Sequence, residues 1–281
     1  MKRPVPQKRA SSPFRPSRAR GQNFLSDPKA RQRVVEAIAP QPEDDFLEIG
    51  AGSGELTLPL TERSRRVLAL EPDRRLFARL AARAAGRTFE AIPADFLEAD
   101  LGALLAARDI PRVRAVGNLP YSVASLILTK LLAERALLVD LTLMFQREVA
   151  ERLAARPGTK AYGYLSVVTQ QAARARLLLT LPPEAFRPRP KVTSCLVRLE
   201  LLRNHEPQVG DPEIFQTLVK GLLSHRRKNI GNNLKRWRSD RPVADRVRHA
   251  LKERDIPLTR RAETLSVEEF AGLSRFCTSR P

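Results

Sequence analysis

The chain has 281 residues, of which 42% are hydrophobic and 29% charged, so it is long enough for one large domain and a small second one. Its 50 Lys and Arg residues outnumber its 31 Asp and Glu residues, and the formal net charge is +19. Folding does not require that excess, which predicts a polyanionic partner, either nucleic acid or an anionic membrane surface.

Several classes of protein are excluded by what the sequence lacks. No stretch approaches the roughly 20 apolar residues of a transmembrane helix, and the N-terminus has no signal-peptide core. The two cysteines, Cys195 and Cys277, have neither metal-ligand spacing nor a disulfide framework. We therefore expect a cytoplasmic protein that uses no metal and has no membrane partner.

Residues 1–20 contain seven basic residues, four prolines and no acidic residue. This composition is typical of a disordered basic arm. It also fits an organellar transit peptide, although the prolines argue against the amphipathic helix that such peptides form. We interpret the segment as a disordered arm.

Between residues 21 and 204 the hydrophobic pattern alternates between strands and helices. Asp27 and Pro28 are typical of a helix start, as N-cap and first helical residue. Strands are predicted over 46–49, 67–70, 88–93, 113–117, 139–145, 174–181 and 194–201, and helices over 28–39, 73–85, 122–134 and 162–171. This alternation predicts an α/β domain with a mostly parallel, Rossmann-like sheet, helices on both faces and the closing pair of strands at one edge.

The pattern changes after a polar linker near 204–212. No strand is predicted beyond it, and residues 213–281 are typical of three to five short helices. We therefore predict a small all-α C-terminal domain over 205–281. Its segments 225–229 and 235–238 form the densest basic patch of the chain, with Trp237 interleaved. An RNA-binding helix face is the favoured interpretation, and a merely solvated face is the alternative.

The segment 48–54 is a glycine-rich loop between a strand and a helix. Gly50 and Gly52 would let a ligand approach the backbone closely. Glu71 ends the next strand, about 20 residues later, where an acid can accept hydrogen bonds from both ribose hydroxyls. The loop alone would suit NAD, FAD, S-adenosylmethionine or a plain tight turn, and Glu71 alone could be an acid near a helix start. Together they predict a cofactor that contains a nucleoside.

Asp95 and Phe96 follow the third strand of the series. The carboxylate could accept from an adenine amino group and the ring could pack on the base, although an N-cap Asp is the alternative. Ligands of open α/β sheets bind at the carboxyl ends of the strands, so these residues should meet the glycine loop there.

The tetrapeptide Asn118-Leu119-Pro120-Tyr121 follows the apolar run 113–117. The Asn118 side-chain oxygen and the Leu119 carbonyl, which Pro120 restricts, could accept from both N–H groups of an exocyclic amine on a flat heterocycle. The Tyr121 ring could stack on that heterocycle. Taken alone, the same residues could form a proline turn with a packed tyrosine.

These motifs, in this order, resemble the ribosomal RNA adenine-N6 dimethyltransferases, which use S-adenosylmethionine. The most similar branch acts on paired adenines near the 3′ end of small-subunit rRNA. The resemblance rests on segments 21–25, 48–54, 95–96, 118–121, 145–153 and 186–194, together with Glu71.

The resemblance implies a class I methyltransferase fold with a catalytic domain over 21–204, a monomer, and small-subunit rRNA as partner. It implies that Asn23 and Leu25 contact the methionine part of the cofactor. It also implies that the backbone at Gly50 approaches the cofactor, that Asn118 lies between cofactor and target base, and that Phe186 stacks on that base. Glu71 and Asp95 would hold the ribose and the adenine amino group.

Three alternatives stay open on the sequence. A nucleotide-dependent oxidoreductase would share the glycine loop and Glu71. A large-subunit rRNA adenine methyltransferase of the antibiotic-resistance type usually has Ile where Leu119 stands. A non-catalytic RNA-binding assembly factor could use the same scaffold.

Overall fold

The computed structural model describes residues 23–202, 207–237 and 240–279. The predicted arm at 1–20 lies outside the described residues. So do Gly21 and Gln22 of the first motif, and the predicted domain boundary between residues 204 and 205.

A seven-stranded sheet forms the centre of the molecule, in the order β4-β3-β2-β5-β6-β9-β7, and β1 and β8 form a separate pair. The strands are β1 (Phe24–Leu25), β2 (Asp45–Ile49), β3 (Arg66–Leu70), β4 (Phe89–Ile92), β5 (Val113–Asn118), β6 (Leu138–Gln146), β7 (Ala173–Leu181), β8 (Phe186–Arg187) and β9 (Ser194–Leu201). Strands β2 to β6 run parallel, whereas β9 is antiparallel to both of its neighbours. The closing strands β7 and β9 occupy one edge, as predicted.

The helices of the described residues are α1 (Pro28–Ile38), α2 (Thr57–Thr61), α3 (Arg74–Ala81), α4 (Leu101–Ala106), α5 (Ala124–Ala133), α6 (Arg147–Leu153), α7 (Tyr164–Ala172), α8 (Pro212–Leu222), α9 (Ile230–Arg236), α10 (Arg241–Glu253) and α11 (Val267–Ser279). Helix α1 begins as predicted, because the Asp27 carboxylate accepts from the backbone N–H groups of Lys29 and Ala30. None of these helices is long and apolar enough to cross a membrane.

Two hydrophobic cores lie on opposite faces of the sheet, because successive strand residues point to opposite sides. Leu68 and Leu70 belong to one core, with residues of α4, α5 and α7. Val67 and Ala69 belong to the other, with residues of α1 and α2. The predicted arrangement of helices on both faces is confirmed.

The C-terminal helices share the first of these cores. Phe215, Val247 and Phe270 belong to the same cluster as the sheet residues. The Tyr162 hydroxyl also donates to the Leu265 carbonyl at 2.9 Å. Helices α8 to α11 therefore pack directly on the layer of helices that covers this face of the sheet.

The sequence pattern suggested that Trp237 lies in a basic surface, but the structure places it in the interior. Its side chain is buried, and a Cβ at Gly221 would lie 2.5 Å from its ring. The indole thus packs closely against helix α8, where the absence of a side chain at position 221 leaves room for it.

A buried ion network closes the end of the sheet where β5 begins. Arg114 is 8% exposed and donates to Asp140 at 3.0 Å, to Asp44 at 2.6 Å and to the Ile38 carbonyl at 2.9 Å. Arg198 donates to the same carbonyl at 2.8 Å. Two cations thereby satisfy the carbonyls at the C-terminus of α1, where the helix dipole favours positive charge.

Candidate functional site

A cavity of about 260 Å³ opens at the carboxyl ends of β2, β3 and β5. Ligands of open α/β sheets bind at this rim. Of the predicted site residues, the cavity wall contains Asn23, Leu25, Gly50, Gly52, Glu71, Asp95, Phe96, Asn118 and Pro120. The structure therefore brings residues from five separate motifs to one place.

The glycine loop has backbone conformations that side chains rarely adopt. Gly50 has φ +71° and Gly52 has φ +61°. A Cβ at Gly52 would lie 3.1 Å from the Phe24 ring, whereas a Cβ at Gly50 would meet nothing within 4 Å. The loop is thus packed at Gly52 and open at Gly50, where a ligand could reach the backbone.

Glu71 joins the glycine loop to the end of β3. Its side chain is buried, and one carboxylate oxygen accepts from the Gly52 N–H at 2.8 Å while the other accepts from the Asp73 N–H at 2.8 Å. These two bonds fix the orientation of the carboxylate at the cavity wall.

Asp95 and Phe96 form the wall beside the end of β4. Asp95 is exposed, and its Oδ1 accepts from the Leu97 N–H at 2.9 Å. Asp95 therefore caps the turn that follows it, much as the alternative to adenine binding expected. This contact uses one oxygen of the carboxylate. Phe96 is buried with the Lys130 ammonium 5.5 Å from its ring centroid.

The Asn118 amide is oriented by the N-terminal segment. Its Nδ2 donates to the Asn23 backbone carbonyl at 2.7 Å. One N–H of the amide is thus engaged, which orients the side chain and leaves the Oδ1 acceptor for a ligand. Strand β1 holds this carbonyl in place by pairing with β8, where Leu25 lies opposite Phe186.

The other three predicted catalytic residues are absent from the cavity wall that the described residues form. The Leu119 side chain is 2% exposed and the Phe186 side chain 1% exposed. The Tyr121 hydroxyl lies 2.5 Å from the Ser194 hydroxyl, and burial raises the Tyr121 pKa above its ordinary value. Base stacking by Tyr121 and Phe186 stays a prediction, and Phe186 offers no open face in this structure.

Sequence reasoning missed Glu48 as a site residue. It lines the cavity at 2% exposure, and the Thr57 hydroxyl donates to its carboxyl group at 2.5 Å. Burial raises the Glu48 pKa to about 8 against the lowering effect of Thr57, and the nearby Glu55 and Glu71 raise it further. A lone acid inside an apolar strand was the available signal.

In the described part of the chain, no group of three or more potential ligand residues could hold a metal ion.

Cations lie around the site rather than in it. Arg187 on β8 and Lys191 beyond it are exposed, while Arg189 forms an ion pair with Glu184. In the predicted basic segments 225–229 and 235–238, the exposed basic residues that the structure describes are His225, Arg227, Lys228, Lys235 and Arg236, which we call the C-terminal patch. Glu148 and Arg152, four residues apart on α6, form an ion pair.

A family model for ribosomal RNA adenine dimethylases matches residues 14–278. The chain belongs to this family. The resemblance inferred from the motifs is thereby confirmed.

The relatives of this family member match it over nearly its whole length. A protein of Leptothrix cholodnii named ribosomal RNA small subunit methyltransferase A is 40% identical over 259 residues, which cover 92% of this chain and 91% of that protein. A protein of the same name from Ligilactobacillus salivarius is 40% identical over 258 residues, covering 90% and 87%.

Two solved structures share the fold. A dimethyladenosine transferase from Plasmodium falciparum superposes with a TM-score of 0.73 at 23% identity, covering 89% of this chain and 95% of that one. The 23S rRNA methyltransferase ErmE superposes with a TM-score of 0.63 at 26% identity, covering 92% and 100%. The predicted Rossmann-like methyltransferase fold with a helical C-terminal part is confirmed.

Proposed function

We propose that this chain transfers methyl groups from S-adenosylmethionine to the N6 amines of two adjacent adenines near the 3′ end of small-subunit rRNA. The products are N6,N6-dimethyladenosines, formed while the small ribosomal subunit is assembled. The observation that carries the proposal is the oriented Asn118 amide at the wall of the cavity. The names of the 40% identical relatives support the choice of the small subunit.

The residues of the cavity fit S-adenosylmethionine. Gly50 leaves open space next to the backbone, and Glu71 presents an oriented carboxylate for the ribose hydroxyls. Asp95 and Phe96 at the neighbouring strand end would receive the adenine, and Asn23 and Leu25 the methionine part. When bound, this cofactor supplies a methyl group activated by a sulfonium.

The target amine is a poor nucleophile, because its lone pair is delocalised into the purine ring. Hydrogen bonds from its two N–H groups to Asn118 Oδ1 and the Leu119 carbonyl would localise that lone pair and direct it at the methyl group. Positioning is then the main catalytic device, and no strong base is needed, since the amine becomes acidic only as the bond forms. Tyr121 would hold the extruded base, and Phe186 would join it if substrate binding uncovers its buried ring.

The rRNA partner is supported by charge. The net charge of +19 and the exposed cations of the C-terminal patch suit a phosphate backbone. Both cysteines are free and buried, as suits a reducing cytoplasm. We propose that the protein acts there as a monomer, without a metal and without a membrane partner.

The proposal is tested by incubating the protein with labelled S-adenosylmethionine and unmethylated small subunits, then mapping the modified adenines. We expect two adjacent dimethyladenosines in small-subunit rRNA, and none with Asn118→Ala protein. A parallel reaction offers large-subunit rRNA, and label there instead would support the antibiotic-resistance type of enzyme. Binding to subunits without any label transfer would support an assembly factor.

A further inference from the structure

The cavity has a charge opposite to that of the chain as a whole. Its titratable lining residues are all acidic: Glu48, Glu55, Glu71, Asp73 and Asp95. Within the described residues no Lys, Arg or His lines it. An acidic cavity in a chain of net charge +19 attracts cations, and no basic side chain of its wall opposes a cationic ligand.

Glu48 occupies the most secluded position among these acids. It lies on β2 opposite Ala69 of β3 and Val116 of β5, neither of which carries a charge. The charged groups that act on it are Glu55, just ahead of α2, and Glu71 at the end of β3. A Glu48 carboxylate in the empty cavity would therefore be buried among like charges, with only the Thr57 hydroxyl as hydrogen-bond donor from a side chain.

We propose that Glu48 couples its proton to the charge of the bound cofactor, so that the cavity prefers cationic S-adenosylmethionine to its neutral product, S-adenosylhomocysteine. The proposal rests on the proposed function, because it takes S-adenosylmethionine as the methyl donor. The two ligands differ by one methyl group and by the positive charge on sulfur. With the cation present Glu48 is a carboxylate, and its proton has gone to solvent. With the neutral thioether present Glu48 keeps its proton.

The direction of the pH dependence follows from the empty state. Burial and the neighbouring acids raise the Glu48 pKa to about 8, so the empty protein holds the protonated acid at pH 7. Binding of the sulfonium then releases close to one proton. The affinity for S-adenosylmethionine should rise with pH by up to about tenfold per unit and level off above pH 8, because one proton is linked to binding. The affinity for S-adenosylhomocysteine should stay nearly flat.

Calorimetric titrations of the full-length protein at pH 7, in buffers with different ionisation enthalpies, measure this release directly. We expect nearly one proton released with S-adenosylmethionine and less than a third of one with S-adenosylhomocysteine. Glu48→Gln should release no proton with either ligand. Its ratio of affinities for S-adenosylmethionine and S-adenosylhomocysteine should be about tenfold smaller than that of the wild-type protein. Gln is the matched variant, because it keeps the size of the side chain and an acceptor for Thr57, and it resembles the protonated acid of the empty cavity.

A second variant separates Glu48 from the general negative charge of the wall. Glu55→Gln also removes one cavity acid, yet it should keep most of the proton release, because burial is the larger cause of the raised Glu48 pKa and the charge of Glu55 a smaller one. Equal release with both ligands, or release that persists in Glu48→Gln, would overturn the coupling while leaving the cofactor assignment intact. Failure of the wild-type protein to bind S-adenosylmethionine at all would overturn the proposed function and the coupling with it. A thermal melt of empty Glu48→Gln at pH 7 verifies that it is folded.

Discussion

At the scale of single residues, the orientation of one amide decides what the site can do. The Asn23 carbonyl accepts from one N–H of the Asn118 amide, which orients the amide and leaves its oxygen for the proposed substrate contact. The sequence identified both residues but not their contact, because they lie 95 positions apart. The same holds for Tyr121 and Ser194, which are 73 positions apart. Local pattern predicts chemistry at such positions, whereas only the fold determines which partner each group has.

Asn118→Ala removes the acceptor for the target amine. Methyl transfer should fall by at least about 100-fold, a loss comparable to that of one oriented hydrogen-bonding group in a catalytic site. Binding of S-adenosylmethionine should change by less than about threefold, since the substitution releases the Asn23 carbonyl, which strand β1 still holds near the cavity, and leaves the acids and glycines of the wall in place. Single-turnover transfer and calorimetry measure the two effects, and near-normal turnover would contradict the mechanism.

Glu71→Ala should act on binding first. The substitution removes the proposed ribose contact and leaves the Gly52 and Asp73 N–H groups without the acceptor that holds the loop. Affinity for S-adenosylmethionine should fall by more than about tenfold, since hydrogen bonds to a charged group contribute about 1.5–3 kcal/mol. Calorimetry measures it, and an unchanged affinity would refute the ribose assignment.

At the scale of the helices and strands, the sequence predicted those elements that are long enough to show a period. The strands from β2 to β7 and β9 lie within two residues of their predicted positions. Helix α4, with six residues, and the two-residue strands β1 and β8 were missed, because such short segments show no usable repeat. Yet β1 holds the Asn23 carbonyl beside Asn118. Hydrophobic periodicity therefore could not predict this part of the candidate site.

Arg114 should matter to stability but not to binding. Arg114→Met would leave Asp44, Asp140 and the end of α1 without their common donor, and breaking such a buried network costs about 3–5 kcal/mol. Urea denaturation should show this loss. The affinity of the folded protein for S-adenosylmethionine should stay unchanged, because the network lies at the opposite end of the strands from the cavity.

The matched control is Arg176→Met. Arg176 pairs with Glu200 at an exposed position, with 68% and 46% of the two side chains accessible. Exposed ion pairs contribute about 0–1 kcal/mol, so the midpoint of unfolding should hardly move. A similar loss in both variants would show that Arg114 has no special structural role.

At the scale of the whole molecule, charge is divided between an acidic cavity and a basic exterior. The C-terminal patch should bind RNA through phosphates, so replacing Arg227, Lys228 and Lys235 together by Ala should weaken binding to small subunits. The dependence of log affinity on log salt should become shallower by about one for each phosphate that the variant no longer neutralises. Filter binding at several salt concentrations measures this, with cofactor affinity unchanged.

Arg33→Ala supplies the control for general charge. Arg33 is exposed on α1, whose buried residues belong to the core on the other face of the sheet. Its removal should leave the salt dependence almost unaltered. If it weakens subunit binding as much per charge as the C-terminal patch does, the patch is not the RNA-binding surface.

The shared core of the C-terminal helices and the sheet has a mechanical consequence. With Phe215 and Phe270 in the same cluster as strand residues, a hinge motion between the C-terminal helices and the sheet domain would expose apolar surface of this shared core, which is unfavourable. The packing of this shared core then sets the distance between the C-terminal patch and the Asn118 amide. An RNA bound at the patch would place its adenines at the amide only if its own shape spans that distance. The protein would therefore select its substrate by the shape of the RNA.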